Sequence, residues 1–494
     1  MEAVAERPPL VPTGRRGVRT SLAGVAFGLY LVVTLAGLAG LGGGLFPIFY
    51  VVASSIAALV AYHRAPGRYV VFVFAIWFVS PFVRRVFDYH HGYQSASLIL
   101  AAPVVVTVVS ALTLFYRPRE IRGSMMYPFM FSLAGVAYGY FVGLLKVGVF
   151  PATYALLSWV GPMCFAAHLL VNWRLFPLLR KTFLDFVQWA LPLLGAYGIY
   201  QTARLPAWDK AWMIAADVSS IGAPVPFGFR AFGPMSTPGP FAVALVVCML
   251  FLFGTARRGM VISLTVALIS LLLTRTRAGW VALLVGLLIV QLMGPVRRMT
   301  RNWLFLGFMA AAAVPILSLD VFRESILRRI SSFASLNEDN SIRQRILLTN
   351  AATQVIGARA EGEGLGATGG GTKLASGTGR QASIDNGFLE IFYVLGWPGG
   401  SLVLLGLIGQ LLTLARFRDS RGDAFANAAR ACVWALLSIL LIGDIFSGAV
   451  GTLFWGAYGF ACCAHAYNFA TGKGLRSRRL AREFHSQQPA LVSG

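Results

Sequence analysis

The strongest constraint on this chain is its succession of apolar stretches, each near the length needed to cross a bilayer. A helix rises 1.5 Å per residue, so a hydrocarbon core about 30 Å thick calls for about 20 mostly apolar residues. Such stretches fall at 22–40, 44–62, 69–85, 97–116, 125–146, 150–171, 184–202, 238–255, 259–274, 278–294, 303–318, 386–415, 427–444 and 450–469. The expectation is an all-α polytopic membrane protein of about 12 to 14 transmembrane helices. Hydrophobic residues make up 57% of the chain and charged residues only 12%, which excludes an ordinary soluble domain. The first apolar stretch follows Arg15, Arg16 and Arg19 but has no small-residue cleavage site, so it reads as a retained helix.

Basic residues orient the bundle. With the N-terminus inside, alternate connections carry Arg64 and Arg68, then Arg117, Arg119 and Arg122, then Arg174, Arg180 and Lys181. The pattern continues through Arg257/Arg258, Arg297/Arg298/Arg301 and Arg416/Arg418/Arg421 to a basic tail. Every short inside connection is basic, as the positive-inside rule requires. The net charge of +23 is therefore read as a topology signal and a contact with anionic lipid, with no nucleic-acid partner.

Two connections break the run of short loops, and both fall outside. The resulting divisions are N-terminal transmembrane helices (1–202), a first large outer loop (203–237), central helices (238–318), a second large outer loop (319–384), C-terminal helices (385–470) and a basic cytoplasmic tail (471–494). Long loops in a compact fold usually carry function. The first contains Trp208, Trp212, Phe227, Phe229 and Phe232, too much apolar surface for simple disorder. The second is expected to hold a helix over 341–357 stopped by Gly357, and then a glycine-rich, mobile stretch from Gly362 to Gly379. His90 and His91 are placed in another outer loop after Asp88.

Several motifs are set aside on physical grounds. The five cysteines all lie in apolar spans, so none staples the outer loops, and Cys462–Cys463 reads as buried small residues. Gly364-Leu365-Gly366-Ala367-Thr368-Gly369 matches GxGxxG in letters, yet no strand precedes it and no helix follows in a βαβ unit. It reads as a hinge or a backbone-amide nest for an anion. Scattered carboxylates in the second loop show no metal-ligand spacing, and neither a metal nor a cofactor is expected.

Arginines at the outer face carry more information. A guanidinium beside a membrane is costly unless an anion needs it, and its natural partner is a phosphate or carboxylate. Arg230 lies in the first loop, Arg275 and Arg277 in a hairpin of almost no length, and Arg343 and Arg345 in the second loop. Side chains two apart on a helix diverge, so Arg277 and Arg345 are chosen to point inward. The alternative for this pair of hairpin arginines is snorkelling to lipid phosphates. Asp385-Asn386 opens the span after the second loop, and Glu390 follows in its first turns. Asp385 is either a helix N-cap or a general base.

These residues fall in an order that resembles the bacterial O-antigen ligase and polymerase superfamily. The motifs are Phe229-Arg230-Ala231-Phe232-Gly233 leading to Thr237-Pro238-Gly239-Pro240, then Thr276-Arg277-Ala278-Gly279-Trp280, then Ser341 with Arg345, then Asp385-Asn386-Gly387-Phe388-Leu389 running to Gly396 and Gly399. The resemblance covers about 200–415 and implies a GT-C type glycosyltransferase of the inner membrane, metal-independent and inverting, with its active face periplasmic. Its donor would be an undecaprenyl-diphosphate-linked oligosaccharide, and a chain-length regulator and a flippase would be its partners. On that reading Arg277 and Arg345 bind the diphosphate, Asp385 accepts a proton, and Arg230, Arg275, Arg343, Asn386 and Glu390 contact substrate. Family ligases carry a histidine before the asparagine, where this chain has Asp385. That departure favours a polymerase over a ligase. A lipid-linked oligosaccharide flippase or transporter is the rival from another class, but repeated halves and midplane charges, expected of a transporter, are not evident in the sequence.

Overall fold

The computed structural model describes residues 16–117, 124–256, 259–293, 352–375, 386–417 and 420–472, together with 307, 349, 350 and 384. Its helices are α1 (Arg16–Leu38), α2 (Phe46–Arg64), α3 (Pro66–His91), α4 (Leu98–Tyr116), α5 (Tyr127–Lys146), α6 (Val149–Val171), α7 (Phe176–Arg204) and the short α8 (Ala207–Ala216). They continue with α9 (Pro238–Thr255), α10 (Met260–Leu273), α11 (Arg277–Met293), α12 (Gly387–Arg416), α13 (Ala424–Leu437) and α14 (Gly448–Ala470). Seven of the described helices are long and apolar enough to cross a membrane by length and composition, and four shorter ones are also apolar. The protein is an all-α, multi-pass membrane protein. The span expected over 303–318 lies outside the described residues.

The core follows from which helices are apolar all round. Every residue of α14 from Gly451 to Ala464 is buried, and α9 is buried from Phe241 to Phe253. Helices without a polar face belong inside a bundle. Phe183 of α7, Phe251 of α9, Phe425 of α13 and Phe460 of α14 meet edge to face or tilted at 4.7–6.2 Å between ring centroids.

Helices α5 and α12 approach backbone to backbone, and glycine makes it possible. A Cβ on Gly135 would run into the Gly399 carbonyl, and one on Gly399 would lie 2.9 Å from the Gly135 carbonyl. Gly135, Gly139 and Gly143 recur every fourth residue, the small-residue spacing that lets membrane helices touch through their backbones.

Several expectations need correction. Helix α12 is one apolar stretch but breaks at Gly396 (φ 63°, ψ −177°), two residues before Pro398. The break frees carbonyls that a continuous helix would use, and the glycine-rich segment supplies their donors. The Glu363 N–H donates to Tyr393 O at 2.8 Å and Gly364 N–H to Val394 O at 2.9 Å, while Leu365 N–H reaches Gly139 O of α5 at 2.9 Å. Gly362, Gly364 and Gly366 have φ of 80°, 86° and 96°. Leu365 is 1% exposed. Residues 362–365 are thus wedged between α5 and α12, with Gly366, Gly370 and Gly371 against α6, and the 363–365 amides form no open nest because they are spent on helix carbonyls. Of the helix expected over 341–357, the described parts are 349–350 and 352–358, ending one residue past Gly357.

The span expected over 427–444 ends at Leu437, followed by turns to Ile442. Local polar groups stop it: Ser438 Oγ donates to Ala435 O, and Asp444 Oδ1 accepts from its own neighbour Phe446 N–H at 2.7 Å. His90 and His91 close α3 instead of lying in a loop, with His91 stacked on Phe87 at 4.3 Å.

Candidate functional site

A buried polar network seats the segment that joins α7 to α9. Arg85 of α3 is 1% exposed, and its Nε donates to Asp209 Oδ1 of α8 at 2.6 Å. The rest of its guanidinium grips carbonyls of the loop, those of Gly233 at 2.7 Å and Met235 at 2.5 Å. Gln201 of α7 donates to Asp209 Oδ2 at 2.7 Å, and its own carbonyl accepts from the Phe232 and Gly233 N–H groups. With Trp212 and Phe232 packed 5.4 Å apart, residues 229–235 are held rigidly against the bundle.

That rigidity delivers three arginines to one place. Ala231 N–H donates to Leu273 O at the end of α10. Arg230 donates from Nε to Thr274 O at 3.1 Å and from Nη2 to Thr276 Oγ1 at 3.0 Å. Arg275, at φ 49°, sends Nη2 back to Phe227 O at 2.8 Å. Arg277 follows as the first residue of α11, where unsatisfied amides and the helix dipole add positive character. Arg230, Arg275 and Arg277 therefore lie together where the loop meets the hairpin. The hydrogen bonds of Arg230 and Arg275 also give both a role in holding the loop on the hairpin.

The carboxylates belong to the start of α12. Asn386 is its N-cap, with Oδ1 accepting from Phe388 N–H at 3.0 Å and Leu389 N–H at 3.2 Å. Glu390 is 8% exposed and accepts from Thr368 Oγ1 of the glycine-rich segment at 2.7 Å. Asp385, Arg343 and Arg345 lie outside the described residues.

Helix register relates the two groups. Asn427 Nδ2 of α13 donates to Met293 O at 3.2 Å, pinning the start of α13 to the end of α11. The two helices pack along each other. From Met293, sixteen residues at 1.5 Å put Arg277 about 24 Å along α11, past the roughly 15 Å that α13 covers from Asn427 to Leu437. The turns after Leu437 hold α12 in place, because Gly387 N–H donates to Leu440 O at 2.9 Å. The α12 start thus lies directly against the segment 438–444, where a Cβ on Gly387 would meet the Gly443 carbonyl at 2.5 Å.

Asp444 in that segment was missed from sequence, since the apolar run over 427–444 absorbs it. Its carboxylate accepts from Phe446 N–H and Ser447 Oγ, and burial pushes its pKa up from the usual carboxylate range. The signal available was Gly443-Asp444 ahead of Ser447, a turn-forming pattern.

Fold and site together define a class: a multi-pass helical membrane protein with arginines where the 229–235 segment meets the start of α11 and carboxylates at the start of α12 and in the turn before α14. Residues 262–404 match the family model described as O-Antigen ligase. The chain carries that domain, consistent with the O-antigen ligase and polymerase superfamily, whose members are glycosyltransferase-like enzymes. The match takes in Arg275, Arg277, Asn386 and Glu390, while Arg230 and Asp444 lie beyond it. No curated protein matches the chain.

Proposed function

We propose that this protein is a polysaccharide polymerase of the inner membrane. It takes a glycan from an undecaprenyl-diphosphate-linked donor at the periplasmic face and joins it to a hydroxyl of an acceptor lipid-linked repeat unit. The carrying observation is the arginine cluster at the start of α11, of which Arg275 and Arg277 lie inside the segment that matches the O-antigen ligase model. Fixed guanidinium groups beside a helix N-terminus suit a diphosphate, whose charge grows as it departs.

In the reaction, the bond between the donor's anomeric carbon and the phosphate oxygen breaks, and the diphosphate leaves with the electron pair. The acceptor oxygen forms the new bond from the opposite face, with inversion. Arg277, with Arg345, balances the leaving charge without a metal. Asp385 accepts the acceptor's proton, and Arg230, Arg275, Arg343, Asn386 and Glu390 contact the substrates. Asp385 in place of the histidine of family ligases supports the polymerase over a ligase that transfers a finished glycan to lipid A core or protein.

The product profile of the purified protein with its lipid-linked repeat unit tests this directly. A ladder of lengthening products is expected. A single transfer to a non-repeat acceptor makes it a ligase, and transport without bond formation refutes an enzyme.

A further inference from the structure

Where α7 begins and α9 and α14 end, the described residues enclose a cavity of about 500 Å³ with both polar and apolar walls. Arg180, Lys181 and Leu184 of α7 line one side. Thr255, the last residue of α9, and Asn468, close to the end of α14, line the others. Asp423, the N-cap of α13, also lines it. Because α9 is an apolar span that stops at Thr255, the cavity lies where the bundle passes from hydrocarbon to headgroups.

Arg180 gives the cavity its chemistry. Its guanidinium lies over the Phe425 ring at 6.0 Å, and its Nη1 is 3.6 Å from Asp423 Oδ2, beyond hydrogen-bond length. Asp423 is already engaged: Oδ1 accepts from the Phe425 and Ala426 N–H groups at 2.9 and 3.4 Å, and Oδ2 from Asn468 Nδ2 at 3.3 Å. Among the described residues, then, ring and carboxylate hold the Arg180 fork in place while none of its N–H groups is spent on a hydrogen bond. Lys181 is the second cation. Its pair with Asp185 at 3.3 Å is exposed to solvent and weakly held.

We infer that this cavity binds the phosphate of an anionic phospholipid headgroup. A planar fork with open donors matches a phosphate through two parallel hydrogen bonds, and a basic pocket between membrane helices is where such headgroups are held. The rim selects a lipid over a free phosphate. Leu178, beside Pro177 of the lining, is 44% exposed, and Phe469, beside Asn468, is 63% exposed, so apolar surface for acyl chains borders the polar cavity. Just ahead of α7, Arg174 lies over the Trp173 ring at 5.3 Å, an aromatic and basic anchor of the kind found at membrane interfaces. The site is distinct from the arginine cluster. Gln201, which seats the 229–235 segment, lies 21 residues further along α7, about 32 Å away.

The probe is phosphatidylglycerol with a photoreactive headgroup, mixed into the detergent micelles of the purified wild-type protein, which needs no variant to fold. Labelled peptides from 173–184 and 464–470 are expected, with unlabelled phosphatidylglycerol displacing the label. Arg180→Gln and Lys181→Gln should each weaken that displacement about fivefold, the share of one basic residue beside an anionic lipid. Arg204→Gln removes an exposed cation at the far end of α7 and should change nothing. Labelling confined to other segments, an equal loss in Arg204→Gln, full binding in both the Arg180 and Lys181 variants, or equal displacement by phosphatidylcholine would overturn the site. Inorganic phosphate that displaces the label as well as phosphatidylglycerol does would overturn the assignment to lipid and leave a site for a free phosphate.

Discussion

Arg85 and Asp209 are joined at 2.6 Å with side chains 1% and 0% exposed, an ion pair that bridges α3 and the segment between α7 and α9. Removing one partner of a buried pair strands the other charge and costs about 3–5 kcal/mol, whereas apolar replacement of both is often tolerated. Arg85→Ala is therefore expected to lower the melting temperature sharply in detergent. The double variant Arg85→Met with Asp209→Leu should be more stable than the sum of its single variants. Additive losses in that cycle would mean the pair does not hold the loop.

The glycine contacts of α5 make a second prediction. A Cβ on Gly143 would strike the backbone of Leu365, which cannot swing away as a side chain can. Gly143→Val should destabilise by at least about 1–3 kcal/mol. Gly28→Ala, with nothing within 4 Å of the new Cβ, should be neutral or stabilising by about 0.5–1 kcal/mol. Comparable melting temperatures for the two variants would contradict the backbone contact.

How much of this was legible in the sequence depends on which force acted. Burial of apolar helices against lipid is encoded residue by residue, so the spans from 22–40 to 278–294 and the last one could be read directly. The arginine hairpin was legible too, because a charge beside a membrane stands out. The wedge at 362–365 was not, since its amides serve carbonyls released at Gly396 on a distant helix, and a glycine run read alone looks mobile. Asp444 was hidden in the same way, as a turn residue at the end of an apolar run. The network around Asp209 joins residues 124 positions apart, which no local pattern reveals.

The wedge also carries a pH dependence. Glu361 is held below its ordinary value, first by the hydrogen bond from Lys146 at 2.9 Å. A depressed carboxyl adds stability above its unfolded value and loses it as pH falls through its folded value. The contact should therefore hold at neutral pH and weaken only below about pH 4. Amide exchange over 360–366 should quicken in that range in the wild type, and Glu361→Gln should remove the pH-dependent part. Identical pH profiles for the two proteins would show that Lys146 does not latch the wedge through Glu361.

Asn386 separates capping from chemistry at the start of α12. Loss of its side chain leaves the Phe388 and Leu389 N–H groups without their acceptor. Asn386→Ala should cost about 1 kcal/mol, and Asn386→Asp should keep the cap. If Asn386→Asp retains stability but loses turnover, the amide contacts substrate; retention of both confines it to the cap.

The central claim is that Arg277 stabilises a departing diphosphate. Its most direct test is the turnover of purified Arg277→Ala on the lipid-linked repeat unit, with chelator present and the melting temperature checked. A fall of about 10²–10³-fold at unchanged stability is expected for a lost transition-state donor. Turnover close to that of the wild type would contradict the account.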